Sequence, residues 1–125
     1  MAEMTVDELA AILDQIVKDI PPRFLRKLNG GVNLRPGTKR VGPRCVLGEY
    51  VEEQNGACYI VIHYGSLKEI LAEEPAEAWR EEVTKTVQKG IQHHLESLAA
   101  RTRLPKIKLG IWQESSKKVK RIYRG

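Results

Sequence analysis

Three histidines, His63, His93 and His94, have the widest chemical range of any residues in this sequence, and two of them fall in a segment of helical pattern. A neutral imidazole can ligate a metal or move a proton near neutral pH. Along residues 76–101, Trp79, Val83, Val87, Ile91, His94, Leu95 and Leu98 recur at helical spacing and predict one core-facing stripe. At about 100° per residue, His94 falls within that stripe and reads as a satisfied core histidine. His93 lies roughly 120° from the stripe's centre. Lys89, His93 and Glu96 share this second face, with Thr86, Gly90 and Ser97 beside it. His93 and Glu96 are therefore the candidate metal ligands.

A zinc helix of the H-E-x-x-H type sets two histidines one turn apart, and its glutamate activates the metal-bound water. Here the five residues ending at His93 are Lys89-Gly90-Ile91-Gln92-His93. A lysine occupies the first-ligand position, and a glycine occupies the general-base position. A charged ammonium has no lone pair and repels a cation. His93 and Glu96 alone are two ligands, where catalytic zinc sites use three. No catalytic residue and no cofactor are therefore expected. Zinc would need a third ligand, and His63 supplies one only if the sheet sets it beside the helix. Lys89 is expected to place its charge where zinc would sit and to pair with Glu96. The wild type is expected to be zinc-poor, and Lys89→His/Gly90→Glu to bind zinc. Gly90 is itself unusual, since glycine inside a helix costs about 0.5–1 kcal/mol relative to alanine. It signals either close packing by another backbone or a lost functional residue.

Several elements must position these groups. Thr5-Val6-Asp7-Glu8 is a capping box that starts a first amphipathic helix over about 6–19. Pro21-Pro22 ends it and starts a shorter helix through Phe24, Leu25 and Leu28, which Asn29-Gly30-Gly31 stops as a C-cap. That glycine pair is not a phosphate loop, because no Gly-Lys-Ser/Thr follows. A short strand at Gly31–Leu34 precedes a loop rich in Pro and Gly. Cys45–Glu53 and Ala57–Tyr64 flank Asn55-Gly56, the preferred two-residue hairpin turn. Tyr59-Ile60-Val61-Ile62 is apolar on both faces, which predicts an interior strand. A short helix at Ser66–Ala72 leads to the long helix, which Glu74-Pro75 opens. Beyond Pro105, Ile107, Leu109 and Ile111 alternate with Lys108 and Gly110 as in a strand, and Val119–Tyr123 suggests another. The two-residue turn sets Cys58 opposite Glu53 rather than Cys45, so both thiols are expected to be free.

The chain of 125 residues fits one domain, and 42% hydrophobic content rules out a disordered chain. No apolar run reaches the roughly 18–20 residues of a membrane span, and Met1-Ala2-Glu3-Met4 lacks a signal-peptide pattern, so a cytoplasmic location without membrane contact is expected. Residues 101–125 hold nine Lys or Arg and one Glu, while the other hundred residues sum to −3. Such an asymmetric basic end permits contact with nucleic acid or an acidic partner. Its plainer reading is a solvated tail.

Five segments, in this order, resemble the minimal zincin-like metallopeptidases, a family of small bacterial proteins. They are Ile20-Pro21-Pro22-Arg23-Phe24, Leu28-Asn29-Gly30-Gly31-Val32, Leu47-Gly48-Glu49-Tyr50, His63-Tyr64-Gly65-Ser66 and His93-His94-Leu95-Glu96. The resemblance spans roughly residues 5–104. It implies an α+β fold with N-terminal helices, a small sheet built on a β-hairpin, and a long helix in the C-terminal half carrying the former metal site. It further implies a zincin-like domain over 1–104 and a basic segment over 105–125 with one or two short strands. His93 would match the second zinc-ligand histidine, His94 the histidine that follows it, and Glu96 a downstream acidic position. Lys89 and Gly90 stand where the first histidine and the catalytic glutamate belong, and Ala99 stands where some relatives place an acidic ligand.

The function expected is that of a family member with a degraded zinc site, catalytically inactive and retained as a binding or scaffold domain for peptide or protein. One alternative is an active zinc peptidase using His63, His93 and Glu96. The other is a nucleic-acid or acidic-partner binder using Lys106, Lys108, Lys117, Lys118, Lys120, Arg121 and Arg124 of the basic end.

Overall fold

A computed structural model of the chain describes residues 4–103 and 117–123. Helix α1, Val6–Lys18, starts at the expected capping box. The Glu8 amide donates to Thr5 Oγ1 at 3.1 Å, and the Thr5 amide donates to Glu8 Oε1 at 2.9 Å. Its apolar face buries Leu9, Leu13 and Ile16. Where a second helix was expected, only a 3-10 turn forms, at Pro22–Leu25. It ends before Leu28, so the glycine pair does not cap it. Gly30 instead lies against the sheet, where an added Cβ would stand 2.7 Å from Tyr59 Cβ.

Strands β1 (Val32–Arg35) and β2 (Arg40–Val41) precede the hairpin of β3 (Arg44–Glu53) and β4 (Cys58–His63). The hairpin loop has three residues rather than two. The Glu53 amide donates to Ala57 O at 2.8 Å, and Gly56, at φ 98°, takes the left-handed bulge position. The register therefore shifts by one, and Cys58 faces Glu52 instead of Glu53. Neither Cys45 nor Cys58 forms a disulfide.

β1 runs parallel to β4, while β2 and β5 (Lys117–Tyr123) pair antiparallel with β3. Both hairpin strands are thus interior to the sheet, as the apolar pattern of β4 predicted. Residues 117–123 of the basic end are not a solvated tail but a strand of the same sheet. The strand expected at 107–111, together with Lys106, Lys108, Trp112 and Arg124, lies outside the described residues, as does the Lys117 side chain.

Helices α2 (Tyr64–Leu71) and α3 (Ala76–Arg103) complete the fold. The three helices and the sheet share one core, which includes Leu13, Tyr50, Ile60, Ile62, Leu67, Trp79 and Val83. This is the α+β architecture read from the sequence, with the long helix in its C-terminal half. No helix among the described residues is long and apolar enough to cross a membrane.

The buried face of α3 is turned relative to the predicted stripe. Thr86 and Gly90 are buried along with Trp79, Val83, Val87, Ile91 and His94, whereas Leu95 is 37% exposed. Two glycines explain the roll. A Cβ on Gly48 of β3 would stand 2.7 Å from Thr86 Cγ2, and one on Gly90 would stand 2.9 Å from Ile60 Cδ1. Small residues at both crossings let the helix settle onto the hairpin, which draws the His93 side of α3 inward and lifts Leu95 out.

Candidate functional site

The second face of α3 meets β3 and β5 around a polar cleft of about 190 Å³, whose walls include Tyr50, Glu52, His93, Glu96, Ser97, Lys118 and Lys120. His93 is half-buried, and its Nδ1 has no hydrogen-bond partner. Glu96 Oε1 stands 3.8 Å from it, beyond hydrogen-bond range, and Glu96 Oε2 accepts from Gln92 Nε2 at 3.2 Å. Burial lowers the His93 pKa most; Lys120 and Lys89 add to this, and Glu96 opposes it. The ring is therefore neutral at pH 7 and keeps a lone pair, but the positive charges of Lys120 and Lys89 act on it.

Lys89 does not pair with Glu96 as expected. The two are seven residues apart, about 10 Å along the helix axis. Lys89 opens into a separate cleft of about 290 Å³ with Glu82, Lys85, Ile122 and Tyr123. Positions 89 and 93, which a metal-binding helix would turn toward one ion, thus look into different clefts beside β5.

His63 does not join His93. Ile60 and Ile62 point into the core shared with α3, so strand alternation sends His63 to the opposite face of the sheet. There His63 Nε2 bonds Glu49 Oε1 at 3.0 Å. Lys39 Nζ donates to Glu49 Oε2 at 2.8 Å, and Arg121 Nε lies 3.3 Å from the same oxygen. No group of three or more His, Cys, Asp or Glu set to hold a metal is found among the described residues. The His93 cleft also holds the carboxylates of Glu96 and Glu52, but Glu52 is engaged by Tyr50 and Ser97 and two lysines line the same walls, an arrangement that does not fit a zinc ion.

Glu49 is a buried carboxylate that ties three other elements together. Burial alone would raise its pKa, but the hydrogen bonds from Lys39 and His63 outweigh this and hold it below the ordinary value. A depressed folded-state pKa adds stability that is present above the unfolded pKa and lost as pH falls through the folded one. Glu49→Gln is expected to be less stable than wild type at pH 7, by about 1–2 kcal/mol, because the cationic partners are part-exposed. The deficit should shrink below the usual carboxylate range. Urea midpoints at pH 7 and pH 3 check this, and an equal deficit at both would refute it.

His94 occupies the core as read, fully buried. Its Nε2 donates to the Arg26 carbonyl at 2.7 Å, and its Nδ1 lies 2.9 Å from Tyr50 Oη. Tyr50 Oη also lies 3.1 Å from Glu52 Oε2, so its single proton is shared between that oxygen and His94 Nδ1, and Ser97 Oγ donates to the same Glu52 oxygen. Burial, followed by the Cys58 and Glu52 contacts, raises the Tyr50 pKa far above its usual value, so the phenol stays protonated. Tyr50 and Glu52 escape sequence reasoning because nothing local links a hairpin strand to a helix forty residues on. Strand alternation sets Glu52 on the same face as Tyr50, but that this face meets α3 shows only in the fold.

Two residues of the His63-Tyr64-Gly65-Ser66 segment serve structure. Ser66 is buried, accepting from the Lys39 amide at 2.9 Å and donating to the Lys39 carbonyl at 3.1 Å. Tyr64 donates to Met4 O at 2.6 Å and stacks on Trp79. A groove of about 670 Å³ lies away from His63 and the Glu49 cluster, between α1, the 3-10 turn and α3, and Leu95 forms part of its apolar wall.

No family model matches the sequence, and no curated protein matches it. Among solved structures, a conserved hypothetical protein from Thermus thermophilus is similar, with a TM-score of 0.71 and 28% sequence identity. The match covers 78% of this chain and 99% of that one, so about a fifth of this chain lies outside the shared fold.

Proposed function

We propose that this chain is a catalytically silent relative of the minimal zincin-like metallopeptidases that works as a binding domain for extended protein segments. The observation that carries the proposal is the course of β5. It lies beside the helix face where a metal would be held, bringing Lys118 and Lys120 to the walls of the His93 cleft and Ile122 and Tyr123 to those of the Lys89 cleft. A cation beside His93 would meet ammonium groups at positions 89 and 120, and Ile60 fills the space next to Gly90. A sheet edge that already accepts a strand through main-chain hydrogen bonds is suited to binding extended peptide.

The alternative of an active peptidase with His63, His93 and Glu96 loses its third ligand to the Glu49 cluster. The nucleic-acid alternative is weakened because Arg121 is paired with Glu49, and Lys118 stands opposite Glu52. Metal analysis and a chelator-controlled protease assay on the purified chain test the proposal. Far less than one zinc per chain and no chelator-sensitive hydrolysis are expected. Stoichiometric zinc with such hydrolysis would overturn it.

A further inference from the structure

The charge asymmetry of the sequence has a structural counterpart in the pairing of β3 with β5. The register sets Glu49 opposite Arg121, Glu52 opposite Lys118 and Glu53 opposite Lys117. Apolar positions match as well, with Val51 opposite Val119 and Gly48 opposite Ile122. Val51 and Ile122 are buried, and Arg44 of β3 lies over the Tyr123 ring at 4.1 Å. Opposite charges directly across an antiparallel pair favour that register, and any shift by one residue would turn every side chain to the wrong face. β3 thus presents an edge that is selective in sequence: acid, apolar and acid positions beside a glycine gap.

We infer that the edge of β3 now covered by β5 is a recognition groove for extended segments of the pattern basic–apolar–any–basic–apolar, and that Lys118-Val119-Lys120-Arg121-Ile122 is an internal occupant that a partner segment of the same pattern displaces. This rests on the reading of the chain as a binding domain, and it does not depend on whether that domain holds zinc. Main-chain pairing supplies the attachment, and the carboxylates of Glu49 and Glu52 supply the selection. Gly48, whose missing side chain leaves room for Thr86 of α3, pairs across the strands with the branched Ile122. Because the internal strand is tethered, it competes at an effective concentration in the millimolar range. A free peptide therefore binds the intact chain weakly, and binding improves when the internal strand is weakened.

The test uses the full chain and a fluorescent peptide with the sequence of residues 117–123. Arg121→Glu replaces the ion pair with Glu49 by a repulsion. At low salt this variant is expected to bind the peptide at least tenfold more tightly than wild type. The gain should vanish in Glu49→Gln/Arg121→Glu and for a peptide carrying Glu in place of its basic residues. Half-molar salt should also weaken it, since exposed charge pairs are screened. Equal binding to wild type and Arg121→Glu, or binding that ignores peptide charge, overturns the inference. A dimer formed by exchanging β5 between copies, without peptide capture, also overturns the assigned partner class.

If Arg121→Glu does not fold, hydrogen exchange on the wild type decides. Amides of 117–123 should exchange at least a hundredfold faster than those of β4, and faster still in salt. Exchange as slow as in β4 would mean a strand that does not leave, and would refute the inference. Zinc in the protein would remove the silent-peptidase reading and leave the groove standing. Failure of peptide binding in zinc-poor protein would do the reverse.

Discussion

Gly90→Glu is expected to destabilise the full chain by about 3–5 kcal/mol, a large share of the roughly 5–15 kcal/mol that holds a domain together. A Cβ at this position would stand 2.9, 3.1 and 3.2 Å from Cδ1, Cγ1 and Cγ2 of Ile60. One of these atoms is a flexible chain end, but the other two are closer to the backbone of a fully buried residue in an interior strand. Overpacking of this kind costs about 1–3 kcal/mol. The carboxylate then adds the penalty of an ionised group lodged between helix and sheet without a partner.

Lys89→His/Gly90→Glu, expected from the sequence to bind zinc, is therefore expected to unfold at lower urea and gain no metal. Urea midpoints and metal content measured together decide the matter. A double substitution that keeps the wild-type midpoint and takes up one zinc per chain would show that the hairpin yields to the new side chain. Gly90→Ala isolates the steric part and should cost about 1–3 kcal/mol.

His94→Leu is expected to cost about 2–4 kcal/mol although leucine fills much of the same space. The Arg26 carbonyl loses its donor, and the buried Tyr50 hydroxyl loses a hydrogen-bond partner. The loss should be coupled to Tyr50→Phe. In a double-mutant cycle, the combined change is expected to fall short of the sum by about 1 kcal/mol, because the groups share one network. A near-neutral His94→Leu, or strict additivity with Tyr50→Phe, would mean that the ring acts only as filler.

Much of the scaffold was legible because it is written locally. The capping box at Thr5, the hairpin signal at Asn55-Gly56 and the two-sided apolar run of β4 each depend on neighbours in the chain. What was missed depends on distance or on one residue of register. The added loop residue, Gln54, is invisible to a dipeptide signal, yet it moved Cys58 from Glu53 to Glu52. The roll of α3 follows from Gly48, nearly forty residues before the helix segment it touches. Leu95 therefore left the core, and Thr86 and Gly90 entered it. At the candidate site, the two-face reading of His93 and His94 survived, but the neighbours of His93 did not follow from periodicity. Lys120 reaches it from the last described strand, while His63 lies on the far side of the sheet in the keeping of Glu49. Charge counting found the basic end without finding its counterpart, since the acids that face it are spread through a strand whose other residues read as core.

The three glutamates of β3 have a consequence for how the chain is made. Arg121 follows Glu49 by about 70 residues, which at roughly 5–20 residues per second leaves the edge of β3 unpaired for some 4–14 s after it is synthesised. Small mixed domains fold well within that time. An uncovered strand edge is a template for pairing with other chains, and charges set along it are a known guard against this. Glu49, Glu52 and Glu53 supply that guard during the wait, so that a neutral or apolar chain meets unpaired carboxylates at this open edge. The residues that select the final strand thus also protect the nascent sheet, and their removal should show in the yield of soluble protein.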